Sequence, residues 1–168
     1  MGKVLYEVRY EFDFHAFIPI IMLIGIPLIL IMWKKGGETV SKGMKVFFGV
    51  IWSIVLVVAV LSGKDHIDMY NAIIGGYKSG NYQIVEGYVE NFHPMPSEGH
   101  DSESFDINGV HFSYSDYSIM FGYHNAKSKG GVITGDGQYL KIGYIHYDTK
   151  YDTYGNVIVY IEELPPGN

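Results

Sequence analysis

Two uncharged apolar runs, residues 16–33 and 46–63, stand on either side of the lysine-rich stretch 34–45. A run of about 18 residues reaches about 27 Å as a helix, close to the thickness of the hydrocarbon core of a bilayer. One lysine or aspartate at the centre of a span costs about 2.5–3.5 kcal/mol, so the absence of charge from both runs is informative. The pattern predicts a two-helix transmembrane hairpin. The segment before the first run is long and carries Glu7, Glu11 and Asp13. That is unlike the basic start of a secretory signal, and the end of the run offers no small-x-small cleavage site. A retained anchor is expected. Pro19 falls in the first turns of that span, and Pro27 is internal and should bend it. In the second run Gly49 and Ser53, and Ala59 and Gly63, are four apart, a spacing that lets helices approach closely.

The pattern changes outside these runs. Over residues 4–14, Val4, Tyr6, Val8, Tyr10, Phe12 and Phe14 alternate with mostly polar residues, so a strand is predicted there. A lone strand needs a partner, and the natural one is the soluble part that follows the second span. Residues 64–80 carry Ile67, Tyr70, Ile74 and Tyr77 at helical spacing. They read as a connecting amphipathic helix with Asp65 as N-cap, weakened by Gly75 and Gly76. Such a helix would lie at the membrane surface or pack on the β-domain. From Tyr82 the period is that of strands. Residues 82–92 read as one strand ended by Pro94 and Pro96. Asn108-Gly109 joins two more, and residues 139–148 and 156–163 form a second hairpin. Five strands predict a small antiparallel β-barrel-like domain of OB-like topology at 81–168. The fold class is thus an α+β membrane protein: strand 1–14, two spans and their loop over 15–63, the connecting helix, and the β-domain.

Charge gives the expected orientation. Lys34, Lys35, Lys42 and Lys45 face one acid, Glu38, in the loop, whereas acids outnumber or match the basic residues on both outer flanks. The positive-inside rule puts the loop in the cytoplasm and both termini, with the β-domain, outside. Residues 64–168 carry fourteen carboxylates against six lysines, a net charge of −8. A nucleic-acid partner needs a basic face, so none is expected. The absence of cysteine excludes disulfides, thiolate metal sites and cysteine nucleophiles.

Several stretches carry a resemblance: Val85-Glu86-Gly87 with Val89-Glu90-Asn91-Phe92 and Pro94; Glu103-Ser104-Phe105; Gly109-Val110 with Phe112-Ser113-Tyr114-Ser115-Asp116-Tyr117; and Gly130-Gly131. Together they resemble a group of uncharacterised bacterial two-span membrane proteins with a small C-terminal β-domain. The resemblance covers about residues 82–145. It implies a protein of the bacterial inner (plasma) membrane and carries no activity and no catalytic residues.

Five constellations invite chemistry. His93, His100, Asp101, Glu103, Asp106 and His111 crowd the first hairpin, but their spacing matches no metal motif, and a solvated acidic loop explains them more simply. Asp148, Asp152 and Asn156 lack the dense spacing of a calcium loop and suit turn chemistry. Ser113, Ser115 and Ser118 lie near Asp116, with His111 and His124 close by, yet no nucleophile elbow accompanies them. Alternation puts Ser113 and Ser115 opposite Phe112 and Tyr114. The glycine-rich stretch 127–137 lacks the order of a phosphate-binding loop. The many tyrosines between 82 and 160 would fill a barrel wall or line a recognition face. No catalytic residue, metal ligand or cofactor is therefore assigned. The candidate ligand-binding residues are Asn91, His93, Tyr114, Asp116 and Tyr117. The expected function is an extracytoplasmic interaction module on a membrane anchor, with the lipid bilayer, a protein partner or another copy of the chain as partners. The alternative is a membrane-anchored hydrolase or metal-dependent enzyme using the His/acid loop 93–111.

Overall fold

The computed structural model describes residues 2–9, 18–35, 41–98, 101–118, 120–148 and 153–165. The chain divides into two compact units, one made of Met1–Tyr10 with Met69–Asn168 and the other of Glu11–Asp68.

The second unit is helical. Helix α1 spans Ile18–Lys35, and Pro27 lies within it. Helix α2 spans Lys42–Tyr70. It starts beside Ser41, whose Oγ accepts the Met44 N–H at 3.2 Å and so satisfies one of the free donors of the first turn. Helical structure continues without a break to Lys78. Among the described residues this is the one helix long and apolar enough to cross a membrane, and none of its most apolar stretch is buried. The expected break before a separate connecting helix is absent. Asp65 sits inside α2, and Lys64 pairs with Asp68 one turn on, which supports helix where a cap was expected.

At Asn71–Gly75 the helix widens into a π-turn, and a last turn, α3, spans Gly76–Lys78. The wider turn lets the successive residues Ile73 and Ile74 both bury, each 1% exposed. Gly76 follows because of close approach: a Cβ there would lie 2.9 Å from Ile145 Cδ1 on the sheet below.

The first unit is built on two antiparallel sheets. Strands β1 (Lys3–Glu7), β2 (Gln83–Tyr88), β6 (Tyr139–Asp148) and β7 (Thr153–Glu163) form one, in the order β1-β7-β6-β2. Strands β3 (Glu90–His93), β4 (Glu103–Ile107) and β5 (Val110–Tyr114) form the other. The expected closed barrel of five strands is corrected to these two sheets, which do not close among the described residues. The cause is local. The stretch read as one strand, 82–92, breaks at Val89, whose backbone bonds Gln138 and Gly137, and Asn91 takes a left-handed φ of 55°. The chain thereby leaves one sheet for the other.

The two sheets enclose the main core, which includes Phe105, Ile107, Phe112, Leu140, Ile142 and Ile161. Phe105 and Phe112 stack at 5.1 Å. On the other face of the four-stranded sheet, Ile73 and Ile74 join Val8, Phe121, Val157 and Val159 in a second cluster. Strand β7 thus buries side chains on both faces. Strand β1 pairs antiparallel with β7, and a register shift between Val4 and Tyr6 changes its phase. This explains why Val4 is 53% exposed and Val8 5%, although strict alternation puts them on one face. The Val8 N–H continues the ladder to the Val159 carbonyl at 2.8 Å. Tyr77 OH donates to Glu7 Oε1 at 2.5 Å and ties β1 to the helix end. Burial, then this bond, pushes the Tyr77 hydroxyl well above the usual tyrosine range. The strand expected over 4–14 is described only as far as residue 9, and the later part lies outside the described residues.

Candidate ligand-binding surface

The three-stranded sheet sorts its side chains by alternation. Glu103, Phe105 and Ile107 of β4, with Phe112 and Tyr114 of β5, face the core. Ser104, Asp106, His111 and Ser113 face outward. The β4–β5 turn is Asn108-Gly109, with φ values of 49° and 78° that suit a tight hairpin.

Polar pairs cross the outer face. Asp106 accepts Asn91 Nδ2 on one oxygen at 2.8 Å and His111 Nδ1 on the other at 2.7 Å. The Asn91 bond first, then the His111 bond, holds the Asp106 carboxyl below the usual carboxylate range. His93 Nε2 meets Asp101 Oδ2 at 3.0 Å, and this bond, followed by the one from Ser102 N–H, lowers Asp101 in the same way. Further along, His146 lies between Asn156 Oδ1 and Asp148 Oδ2, each at 3.1 Å. Asn156 Nδ2 in turn donates to the His111 carbonyl and links β7 to β5.

Beside β5 lies an open depression of about 430 Å³ lined by Asp101, Ser102, Ser115 and Tyr117. Tyr117 is 67% exposed and presents an aromatic surface at its rim. Asp116 Oδ1 is buried with no hydrogen-bond partner among the described residues. Such an acceptor calls for a donor, and water, a hydroxyl or an ammonium group would serve.

The candidate residues therefore separate. Tyr117 lines the depression, and Asp116 does not line it but lies in the chain between the lining residues Ser115 and Tyr117. His93 reaches its edge through Asp101, and Asn91 belongs to the Asp106 cluster on the outer face. Tyr114 is elsewhere. It is buried in the core, and its hydroxyl donates to Glu103 Oε1 at 2.6 Å. Glu103, fully buried, also accepts the Lys127 N–H, at 2.9 Å on Oε2. Tyr123 OH accepts the Val132 N–H at 2.6 Å and packs edge-on against Tyr114. These tyrosines hold the glycine-rich loop to the core.

Sequence reasoning did not select Ser102 and Ser115 as lining residues. Their only signal is adjacency to Asp101 and Asp116. His100 and Asp152 lie outside the described residues. His124 Nδ1 bonds the Gly122 carbonyl at 2.8 Å, and Ser115 Oγ approaches Met95 Sδ at 3.6 Å. The serine–histidine grouping considered from the sequence is not assembled by these contacts. Among the described residues no three histidine or acidic side chains converge to hold a metal ion. No family model, curated protein or solved structure matches the chain.

Proposed function

We propose that this chain is an integral membrane protein that holds a binding domain at the outer surface of the bacterial inner membrane. The observation that carries the reading is the surface of α2. Val46, Phe47, Val50, Ile54, Val57, Val58, Val60 and Leu61 are each more than half exposed and spread over about half of the helix circumference, while Phe48, Ile51, Trp52 and Val55 on the opposite side are half-buried. At about 1.5–3 kcal/mol for each large apolar side chain, leaving these eight half in water costs on the order of 10 kcal/mol. That is comparable to the whole stability of a small domain, so an apolar solvent is required.

Connectivity supports two crossings. Strand β1 precedes both helices, and β7 follows them, yet the two are hydrogen-bonded neighbours. The chain before α1 and after α2 must then lie on one side of a bilayer. If α2 crosses, α1 is the described apolar helix available for the return. The lysines of 34–45 argue for a cytoplasmic loop and outward-facing termini. The β-domain then faces outward as an interaction module, with the Tyr117 depression as its contact site for a protein partner or another copy of the chain.

Membrane-impermeant thiol labelling of spheroplasts tests the topology. Ser97→Cys should label in intact spheroplasts and Ser41→Cys only after lysis; the opposite pattern reverses the orientation. A photo-crosslinking residue at Tyr117 tests the module. Discrete adducts that Asp116→Ala abolishes support it, and their absence removes the depression as a contact site.

A further inference from the structure

The edge-to-face contact of Trp33 with Phe48, at 5.5 Å between ring centres, brings the end of α1 beside the start of α2. Lys34, Lys42 and Lys45 are all exposed in this region. Lys42 and Lys45 are three residues apart and share a helix face. Among the described residues none of the three enters an ion pair, and the first turn of α2 holds no acid. Further along the same helix, Lys64 is neutralised by Asp68. Cations in a first turn also oppose the helix dipole, so like charges and the dipole together raise the potential here. Immediately next to the lysines begins the exposed apolar surface, with Met44, Val46 and Phe47. Cations bordering an apolar band are the mirror of an anionic phospholipid, which carries a phosphate above an acyl chain.

We infer that Lys34, Lys42 and Lys45 form a binding site for the headgroup of an anionic phospholipid in the cytoplasmic leaflet, an inference that rests on the membrane-spanning reading. The site would fix the depth of the helices and reinforce their orientation. Three lysines close together favour a phosphate-bearing lipid over a zwitterionic one by about fivefold per lysine at low salt, and less as salt screens them.

Trp33 and Trp52 are the only tryptophans, so Trp52→Phe leaves a reporter beside the site. The full chain is reconstituted in phosphatidylcholine vesicles with a small fraction of brominated phosphatidylglycerol or brominated phosphatidylcholine. Trp33 should be quenched preferentially by the anionic lipid, and the preference should vanish in the Lys34→Gln/Lys42→Gln/Lys45→Gln variant. Equal quenching by both lipids, or a preference that survives the triple substitution, overturns the inference. Inorganic phosphate should compete no better than chloride at equal ionic strength. Selective loss of the preference in phosphate would assign the site to a free anion and overturn the lipid. Trp33→Phe, which leaves Trp52, separates the two readings. Unquenched Trp52 in vesicles of brominated phosphatidylcholine refutes the span, and the lipid site with it. Quenched Trp52 without selectivity at Trp33 refutes the lipid site alone.

Discussion

Tyr114→Phe removes one hydroxyl from a buried hydrogen-bonded pair of the β-domain and leaves the ring to pack as before. The ring touches Phe105 and Tyr123, at 6.3 and 5.3 Å between centres, and Phe keeps both contacts. What is lost is the 2.6 Å bond to Glu103, a carboxyl with no exposed surface whose partners are all donors. A hydrogen bond to a carboxylate in such a site is worth about 1.5–3 kcal/mol, and Glu103 is closed off from bulk solvent. A loss of about 2 kcal/mol lowers the midpoint of a domain this size by roughly 10 °C. The assay needs care, because Trp33 and Trp52 both lie in the helices. Near-ultraviolet dichroism of the tyrosines, or amide exchange in β4 and β5, follows the domain instead. Glu103→Gln leaves one acceptor oxygen where two face the Tyr114 O–H and the Lys127 N–H, and the double variant should be less destabilised than the two single effects summed, with a coupling of about 1 kcal/mol or more. The gap between wild type and Tyr114→Phe also depends on pH. Burial, then the Glu103 bond, pushes the Tyr114 hydroxyl well above the usual tyrosine range in the folded state. Its contribution is therefore complete below the ordinary tyrosine range, near pH 10, and is lost as pH rises beyond it. A stability change below about 0.5 kcal/mol, or strict additivity with Glu103→Gln, would refute the assignment of this bond as an anchor.

Two more outcomes follow from the same geometry. Val8→Pro deletes the donor bonded to the Val159 carbonyl at a site 5% exposed. It should cost the β-domain about 2–3 kcal/mol in urea unfolding, and an unchanged midpoint would mean that the N-terminal strand adds nothing. Asp106 is held below its usual range by Asn91 first and His111 second, so its contribution is present above about pH 4 and lost as pH falls below that. Asp106→Asn should flatten the acid limb of the stability profile, and an acid limb identical to wild type would exclude the cluster.

Some of this protein is decided residue by residue. The charge-free run at 46–63 leaves helix as the form that satisfies every backbone group in an apolar medium, and α2 covers it entirely. Asn108-Gly109 specifies its hairpin because both positions need a left-handed backbone that few residues tolerate. The alternation of Phe112 and Tyr114 against Ser113 foretold which of them face the core. Glu103 was grouped from the sequence with a solvated acidic loop, and the structure corrects this: it is fully buried on the same strand face as Phe105 and Ile107.

The rest depended on contacts between residues far apart in the chain. Period-two patterning says that a segment is a strand but not which sheet receives it. The split of 82–92 at Val89 is set by Gln138 and Gly137, some fifty residues away. The phase of β1 is set by a bulge against β7, which no local pattern encodes. The π-turn at Asn71–Gly75 arises because the sheet beneath rewards burying Ile73 and Ile74 together. The depression by Tyr117 exists only where the ends of β4 and β5 bring Asp101 and Ser102 beside Ser115. Local sequence determines backbone preference and the inward or outward sense of side chains, since both depend on neighbours a few residues away. Sheet membership, register and pocket depend on packing between distant segments, and only the tertiary structure decided them.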